Sequence, residues 1–306
     1  MFTRDQLKTD EAALDGKPRG AIPRNVIALG IVSLFTDSAT EMIYPLIPLF
    51  VATLGSGALI LGVIEGVAET TAAWLKLATG IVSDRWRSRK GLVLAGYLVS
   101  TLARPFTGLV SAAWQIVFVR MIDRVGKGIR TAPRDALIAA SVDRTIYGKA
   151  YGFHRAMDHT GAVVGPLAAI VTLLMLAYLG GIRDTALLLR WVFVLALVPG
   201  LLAVGTIILY VREQRPAAGA RQEFRFSLRQ FDRSFLTYLG AIFVFTLGNS
   251  SDAFMLFRVE EAVNGSGALR AFVLQLPALG GLVRLFGNPE AQQAFVDALF
   301  LPLVWA

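Results

Sequence analysis

The 306-residue chain has no cysteine and only 2 histidines. The first absence excludes a disulfide scaffold, thiolate metal sites and a cysteine nucleophile. The second leaves too few imidazoles for a histidine-built zinc site, although carboxylates remain as metal ligands. Charge is scarce as well. Asp, Glu, Lys and Arg make up 17% of the residues against 55% hydrophobic, and mean hydropathy is +0.59, whereas a soluble domain carries about a quarter charged residues. That balance argues against an ordinary soluble enzyme. No phosphate-binding Gly-Lys-Ser/Thr loop, zinc-protease helix or nucleophile–base set is present either, so no enzyme is expected. The charge that does occur leans basic, net +8 with a pI near 10.0. Such a surplus fits nucleic acid or a membrane surface, and the positions of the basic residues decide between them.

Long apolar runs are what the sequence has in quantity. Residues Met1–Arg24 are polar and carry Arg4, Lys8, Lys17, Arg19 and Arg24, with no apolar run ending in a small-residue cleavage site. They read as a cytoplasmic tail, not as a removable signal. Six apolar stretches follow, near Asn25–Val51, Leu59–Val82, Leu92–Ala112, Trp114–Ala140, Tyr151–Leu179 and Leu187–Val211, and a seventh covers Phe235–Phe257. A bilayer core takes about 20 helical residues to cross. In lipid the backbone must satisfy its own hydrogen bonds, so each stretch is expected to be a helix. The expectation is an all-α integral membrane protein with about 7–8 transmembrane helices. Its parts would be a tail (1–24), a six-helix bundle (25–211), a basic linker (212–234) and a partial second bundle (235–306).

The basic residues alternate between connections. Arg85, Arg87, Arg89 and Lys90 follow the second span, Arg144 and Lys149 the fourth, and Arg212, Arg215, Arg221, Arg225, Arg229 and Arg233 the sixth. The intervening connections Gly55–Ala58 and Ser111–Ala113 carry no Lys or Arg, and Gly180–Ala186 carries only Arg183. This is the positive-inside pattern of a multi-pass protein of the inner (plasma) membrane, with the N-terminus in the cytoplasm. The six-Arg linker lies between two spans, so the partner it implies is the lipid bilayer and not nucleic acid.

Ionisable groups at membrane depth are costly and default to functional candidates. Asp37 and Glu41 stand one helical turn apart near the middle of the first span, ahead of Pro45 and Pro48, which should kink its outer half. They suit a proton or cation site lining a cavity, the bland alternative being a polar pair bridged to a neighbour for packing. In the second span Glu65, Glu69 and Lys76 share a stripe, with Glu69 the deep member. The fourth span places Arg120, Asp123, Arg124, Lys127 and Arg134 along one face with Arg130 beside them. A basic stripe this deep must face an aqueous cleft or the acids of neighbouring helices. The fifth span adds His154, Arg155, Asp158 and His159, whose histidine spacing does not suit a metal, so no metal site is expected. Asp252 closes a polar cluster, Asn249-Ser-Ser-Asp, in the seventh. The candidate pathway is therefore Asp37, Glu41, Glu69, Arg120, Asp123, Arg124, Asp158 and Asp252.

Three runs carry a family resemblance. Gly80-Ile-Val-Ser-Asp84-Arg85-Trp86-Arg87-Ser88-Arg89-Lys90 resembles the loop signature of the major facilitator superfamily, departing from it at Arg87, where the family often has glycine. Gly152, Gly161 and Gly165-Pro166 stand at the spacing of that family's antiporter signature, with Ala168 and Ala169 near its usual closing glycine pair. The run from Arg120 through Gly126-Lys127-Gly128 to Pro133 is similar to the family's Arg-bearing signature in stretched form, leaving Arg120 or Arg124 for the proton-coupling role. The resemblance covers about Asn25–Phe257. It implies a secondary transporter working by alternating access, proton-coupled and exporting a small molecule, with a metal ion or chelate as the alternative cargo. It implies no cofactor beyond the proton gradient. A full member has two six-helix halves, and a faint echo of Leu29-Gly30 and Phe35-Thr36 recurs as Leu239-Gly240 and Phe245-Thr246. Beyond Phe257 the pattern stops, so the chain reads as one half plus a little of the second, whether a truncated product, a shifted reading frame or a divergent form; the alternative to a working transporter is a half that does not transport unless it dimerises or a second half is supplied.

The cysteine-free background makes the topology directly testable. A Ser88→Cys variant should react with a membrane-impermeant maleimide only from the cytoplasmic side, and Ser56→Cys only from outside. Labelling of the first in intact cells would reverse the assignment.

Overall fold

Pro45 and Pro48 set the course of the first span. Helix α1 (Arg24–Glu41) stops, a 3-10 turn (Tyr44–Leu46) intervenes, and α2 (Ile47–Thr53) resumes, with a proline in the first turn of each restart. Proline lacks the N–H that the preceding turn would receive, and its fixed φ suits a helix start, so the chain bends where expected. The structure is a computed structural model and describes residues 21–85, 88–214, 232–248, 254–256, 258 and 268–305. Among them there are helices and turns but no strand.

Helix α3 (Ala58–Arg85) forms the second span and α4 (Arg89–Ala103) the third. The hydroxyl of Ser88 caps α4 by accepting from the Gly91 amide, and a 3-10 turn (Arg104–Leu109) opened by Pro105 ends the span. Helix α5 (Ala113–Ala140) follows, its start held by Gln115, whose side-chain oxygen accepts from the amides of Ser111 and Ala112. Helix α6 (Tyr147–Tyr178) is the fifth span. The sixth is broken at Ala196, just ahead of Pro199, into α7 (Thr185–Leu195), capped by Asp184, and α8 (Leu197–Tyr210). Then come α9 (Arg233–Gly248), α10 (Ala268–Gln275), α11 (Pro277–Arg284) and α12 (Pro289–Trp305).

Among the described residues, 5 helices qualify by length and apolarity to cross a membrane: Arg24–Thr53, Ala58–Gly80, Arg89–Leu109, Arg144–Tyr178 and Thr185–Tyr210. The fourth expected span, α5, is not among them because it is heavily charged. At about 1.5 Å per residue it is nevertheless long enough, and its charged groups turn inward: Arg120, Asp123, Arg124 and Arg130 are all buried. The seventh expected span is described over residues 235–248 and 254–256, and the described side chains of α9 are exposed.

Packing pairs the first span with the fifth and sixth, the fourth with the second and third, and the third with the sixth. Exchanging spans one to three with four to six maps this set of contacts onto itself, the signature of two three-span repeats within the bundle. Two apolar layers result. One gathers Val26, Leu29, Val93, Tyr97, Ile138 and Ile207; the other gathers Ile43, Phe50, Ile64, Ile116, Leu188 and Phe193. Along the first, third, fourth and fifth spans Asp37, Glu41, Arg104, Arg120, Asp123, Arg124 and Asp158 fall between the two layers, so these groups occupy a belt with an apolar layer on either side.

A close approach of α6 to α1 in this belt runs through glycine. A Cβ on Gly165 would stand 2.7 Å from the Ser38 carbonyl oxygen and 2.8 Å from Glu41 Cβ, and one on Gly161 would stand 3.0 Å from Asp37 Cβ. Gly152, in the same signature, is exposed, with nothing within 4 Å of that position. Gly165→Val should therefore force α6 from α1 and destabilise the protein by about 1–3 kcal/mol, the usual cost of overpacking. Gly152→Ala should be neutral or stabilising by up to about 1 kcal/mol through helix propensity. Thermal unfolding of the two variants in one detergent checks the contrast.

Candidate functional site

The close approach of α6 to α1 fixes the two acids of the first span. Asp37 faces α6, where its carboxyl lies beside that of Asp158. Asp158 accepts from the Ser33 hydroxyl and from Arg155 Nη1 at 3.3 Å. One turn on, Glu41 accepts from the indole Nε1 of Trp305 at 2.6 Å, and that ring packs against Tyr44 with centroids 5.0 Å apart.

The basic stripe of α5 meets both fates available to it, acids on neighbouring helices and a cavity. Arg120 Nη2 lies 3.1 Å from Glu65 of α3, its Nη1 3.9 Å from Asp123, and its guanidinium 5.2 Å from the centre of the Tyr44 ring. The Tyr44 hydroxyl donates to the same Glu65 at 3.3 Å. Asp123 is bound from the other side by Arg104 Nε at 3.1 Å, and Arg104 Nη1 reaches the Thr36 carbonyl at 3.4 Å. Arg124 Nη2 pairs with Glu69 at 3.2 Å. Arg130 donates to the Ser100 hydroxyl at 2.6 Å and lies 4.5 Å over the Tyr97 ring. Removing such groups from water costs several kcal/mol per ion unless partners replace the hydration. Most of the stripe has those partners.

Between α1 and α5 lies a cavity of about 140 Å³. Helix α1 contributes Asp37, Thr40 and Glu41; α5 contributes Asp123, Arg124, Lys127 and Arg130; Tyr44, Arg104 and Trp305 complete the lining. Among the described residues no group of 3 or more His, Cys, Asp or Glu is placed to hold a metal ion.

Of the expected pathway residues, Asp37, Glu41, Asp123 and Arg124 line this cavity and Asp158 stands directly behind Asp37. Arg120 lies outside the lining, held by its two acids. Glu69, expected to be deep, has a side chain 63% exposed and reaches the site only through Arg124. Asp252 lies outside the described residues, as do the side chains of Asp84 and Arg85. In the loop signature Gly80 is half-buried with open space beside it. Arg89 Nη1 reaches the Ala136 carbonyl at 3.4 Å and Lys90 Nζ the Ile208 carbonyl at 3.1 Å. The amides of Arg89 and Lys90 and the Ser88 hydroxyl all donate to Glu213, at 3.1, 2.9 and 3.0 Å. Gly161, Gly165 and Pro166 are buried and Gly152 is not.

Arg104, Lys127, Arg130 and Trp305 line the cavity without being among the expected pathway residues. Arg104 is a lone arginine within the apolar stretch Leu92–Ala112 and meets the same criterion that singles out Asp37. Lys127 and Arg130 belong to the recognised stripe. Trp305 carries no sequence signal, because it arrives from the C-terminal segment by tertiary packing alone.

A six-span bundle built from two three-span repeats, with charges held in a central belt, is a transporter architecture, and the sequence model of the Major Facilitator Superfamily matches residues 29–291. The chain belongs to that family. An uncharacterized MFS-type transporter of Methanocaldococcus jannaschii is 31% identical over 240 residues, covering 78% of this chain and 58% of the relative. The multidrug resistance protein MdtG of Serratia proteamaculans is 30% identical over 197 residues, covering 62% and 44%. This MFS chain thus spans little more than half the length of the first relative and less of the second. Among solved structures, a bacterial homologue of the human lysosomal transporter Spinster, inward-facing and occupied, superposes with a TM-score of 0.59 at 15% identity over 92% of this chain and 71% of that one. At that identity the likeness shows the fold alone.

The ion pairs differ sharply in burial, and their removal should differ likewise. Asp123→Asn strands Arg104, leaves Arg120 with Glu65 alone, and is expected to cost about 3–5 kcal/mol of stability. Glu69→Gln removes a carboxylate that is 63% exposed, so water can replace it beside Arg124, and is expected to cost less than Asp123→Asn. Unfolding midpoints of the purified variants read the difference.

Proposed function

We propose that this chain carries the proton-handling bundle of a secondary transporter that exports a small molecule by alternating access, exchanging it for protons. The observation that carries the reading is the cavity itself. Asp37 and Glu41 face the cations of the cavity, and Asp37 stands beside Asp158, an arrangement suited to holding and exchanging a proton. Arg124, whose guanidinium lines the cavity, is the arginine placed to modulate these acids; Arg120 is committed to Glu65 and Asp123. Export is the direction favoured by the names of two relatives, the multidrug resistance proteins MdtG and MdtH.

The proton gradient supplies the energy and no cofactor is required. The protein resides in the inner membrane with its N-terminus in the cytoplasm. A second half or a second copy supplies the facing wall of the cleft. A free metal cation is a poor cargo for this cavity, because four cationic side chains line it against three acids.

The test is dissipation of a preset pH gradient in everted vesicles on adding ethidium, phosphate or citrate in turn. At least one solute should collapse the gradient, and Asp37→Asn should abolish the response. Transport indifferent to the pH gradient, or full coupling in Asp37→Asn, would reject the proposal.

A further inference from the structure

The cations of the cavity are not balanced by the acids that share it. Arg104 is taken by Asp123 at 3.1 Å, and Arg124 by Glu69 at 3.2 Å through Nη2. The Nε of Arg124 is buried without a hydrogen-bond partner. Among the described residues, neither Lys127 nor Arg130 has a carboxylate oxygen within 4.0 Å. The acids opposite are engaged elsewhere, Asp37 with Asp158 and Glu41 with Trp305. Arg124, Lys127 and Arg130 follow one another at three-residue spacing on α5, so they converge on one side of the helix. A buried cation left without a counter-charge is among the costlier arrangements a fold can hold.

We infer that the cavity seats a compact oxyanion, a carboxylate or phosphate ligand, held by Lys127 and Arg130. This rests on reading the cavity as the transporter's solute site. Size supports it. A volume of about 140 Å³ accommodates phosphate or a small carboxylate, whereas drug-sized ligands fill pockets of about 300–1,000 Å³. Charge supports it too. Guanidinium and ammonium groups are the donors that oxyanions select, by charge-assisted hydrogen bonds that are shorter and stronger than neutral ones. Arg130 is fixed for the task by Ser100 and the face of Tyr97, so its geometry is set before a ligand arrives. The seat would equally take an anionic metal chelate small enough to enter, but not the bare metal.

The experiment is calorimetric titration of the purified full chain in lipid nanodiscs with inorganic phosphate, citrate and ethidium, at constant ionic strength in chloride. Phosphate or citrate should saturate one site and ethidium should not. Binding by one anion alone assigns the oxyanion class. Lys127→Gln should weaken the anion by at least about tenfold, the loss of one charge-assisted bond, while Lys127→Arg retains it. Should Lys127→Gln fail to fold, Lys127→Met, which removes the charge in favour of apolar packing, replaces it with the same expectation. No saturable binding of either anion, or equal affinity in the charge-removed variant, overturns the inference. The vesicle assay separates this from the transport reading, because anion binding is read in the nanodiscs without any transport. Anion binding with no coupled transport in any variant would sink the transport reading and leave the seat standing.

Discussion

Most of this structure answers to the cost of holding ionised side chains away from water. Helix α5 carries more charge than a membrane helix tolerates alone, and it is accommodated because α3 brings Glu65 and the turn after α4 brings Arg104 to meet it. Arg120, Asp123, Glu65 and Arg104 form one connected network. Each member is neutralised by groups on another span, so the fourth span can lie inside the bundle only when the second and third are already beside it. The apolar layers on either side of the belt keep these pairs in a low dielectric, which makes each of them stronger and each vacancy more expensive.

The same belt explains why glycine is used where α6 crosses α1. Bringing the two backbones together places Asp37 next to Asp158 on the adjoining span. A slide of α6 along α1 would part the two carboxyls, and closing the gap would rejoin them.

Much of this is legible in the sequence, and the exceptions have physical causes. Pro45 and Pro48 announce the break in the first span because proline acts locally. The stripe of α5 is legible because helical periodicity is local too. Which of its members would be neutralised is not, since that depends on acids from other spans. Arg120 reads as a pathway residue yet is locked between Glu65 and Asp123, and Glu69 reads as deep yet is largely exposed. Arg104 could have been singled out by the rule applied to Asp37. Trp305 could not, because nothing in Pro289–Trp305 indicates that its last turn packs on Tyr44 and Glu41. The loop and glycine signatures locate the family, but only the coordinates show Gly165 pressed against α1 and Gly152 facing open space.

At the start of α4 a single carboxylate, Glu213, grips the first turn through two amides and a hydroxyl, from the stretch just beyond α8. Backbone amides at a helix start are a natural berth for an anion. The exit of the sixth span is thereby moored to the entry of the third. Those two ends travel as one piece whenever the bundle tilts, and the arginine-rich stretch that continues the chain departs from a fixed post instead of a fraying helix tip.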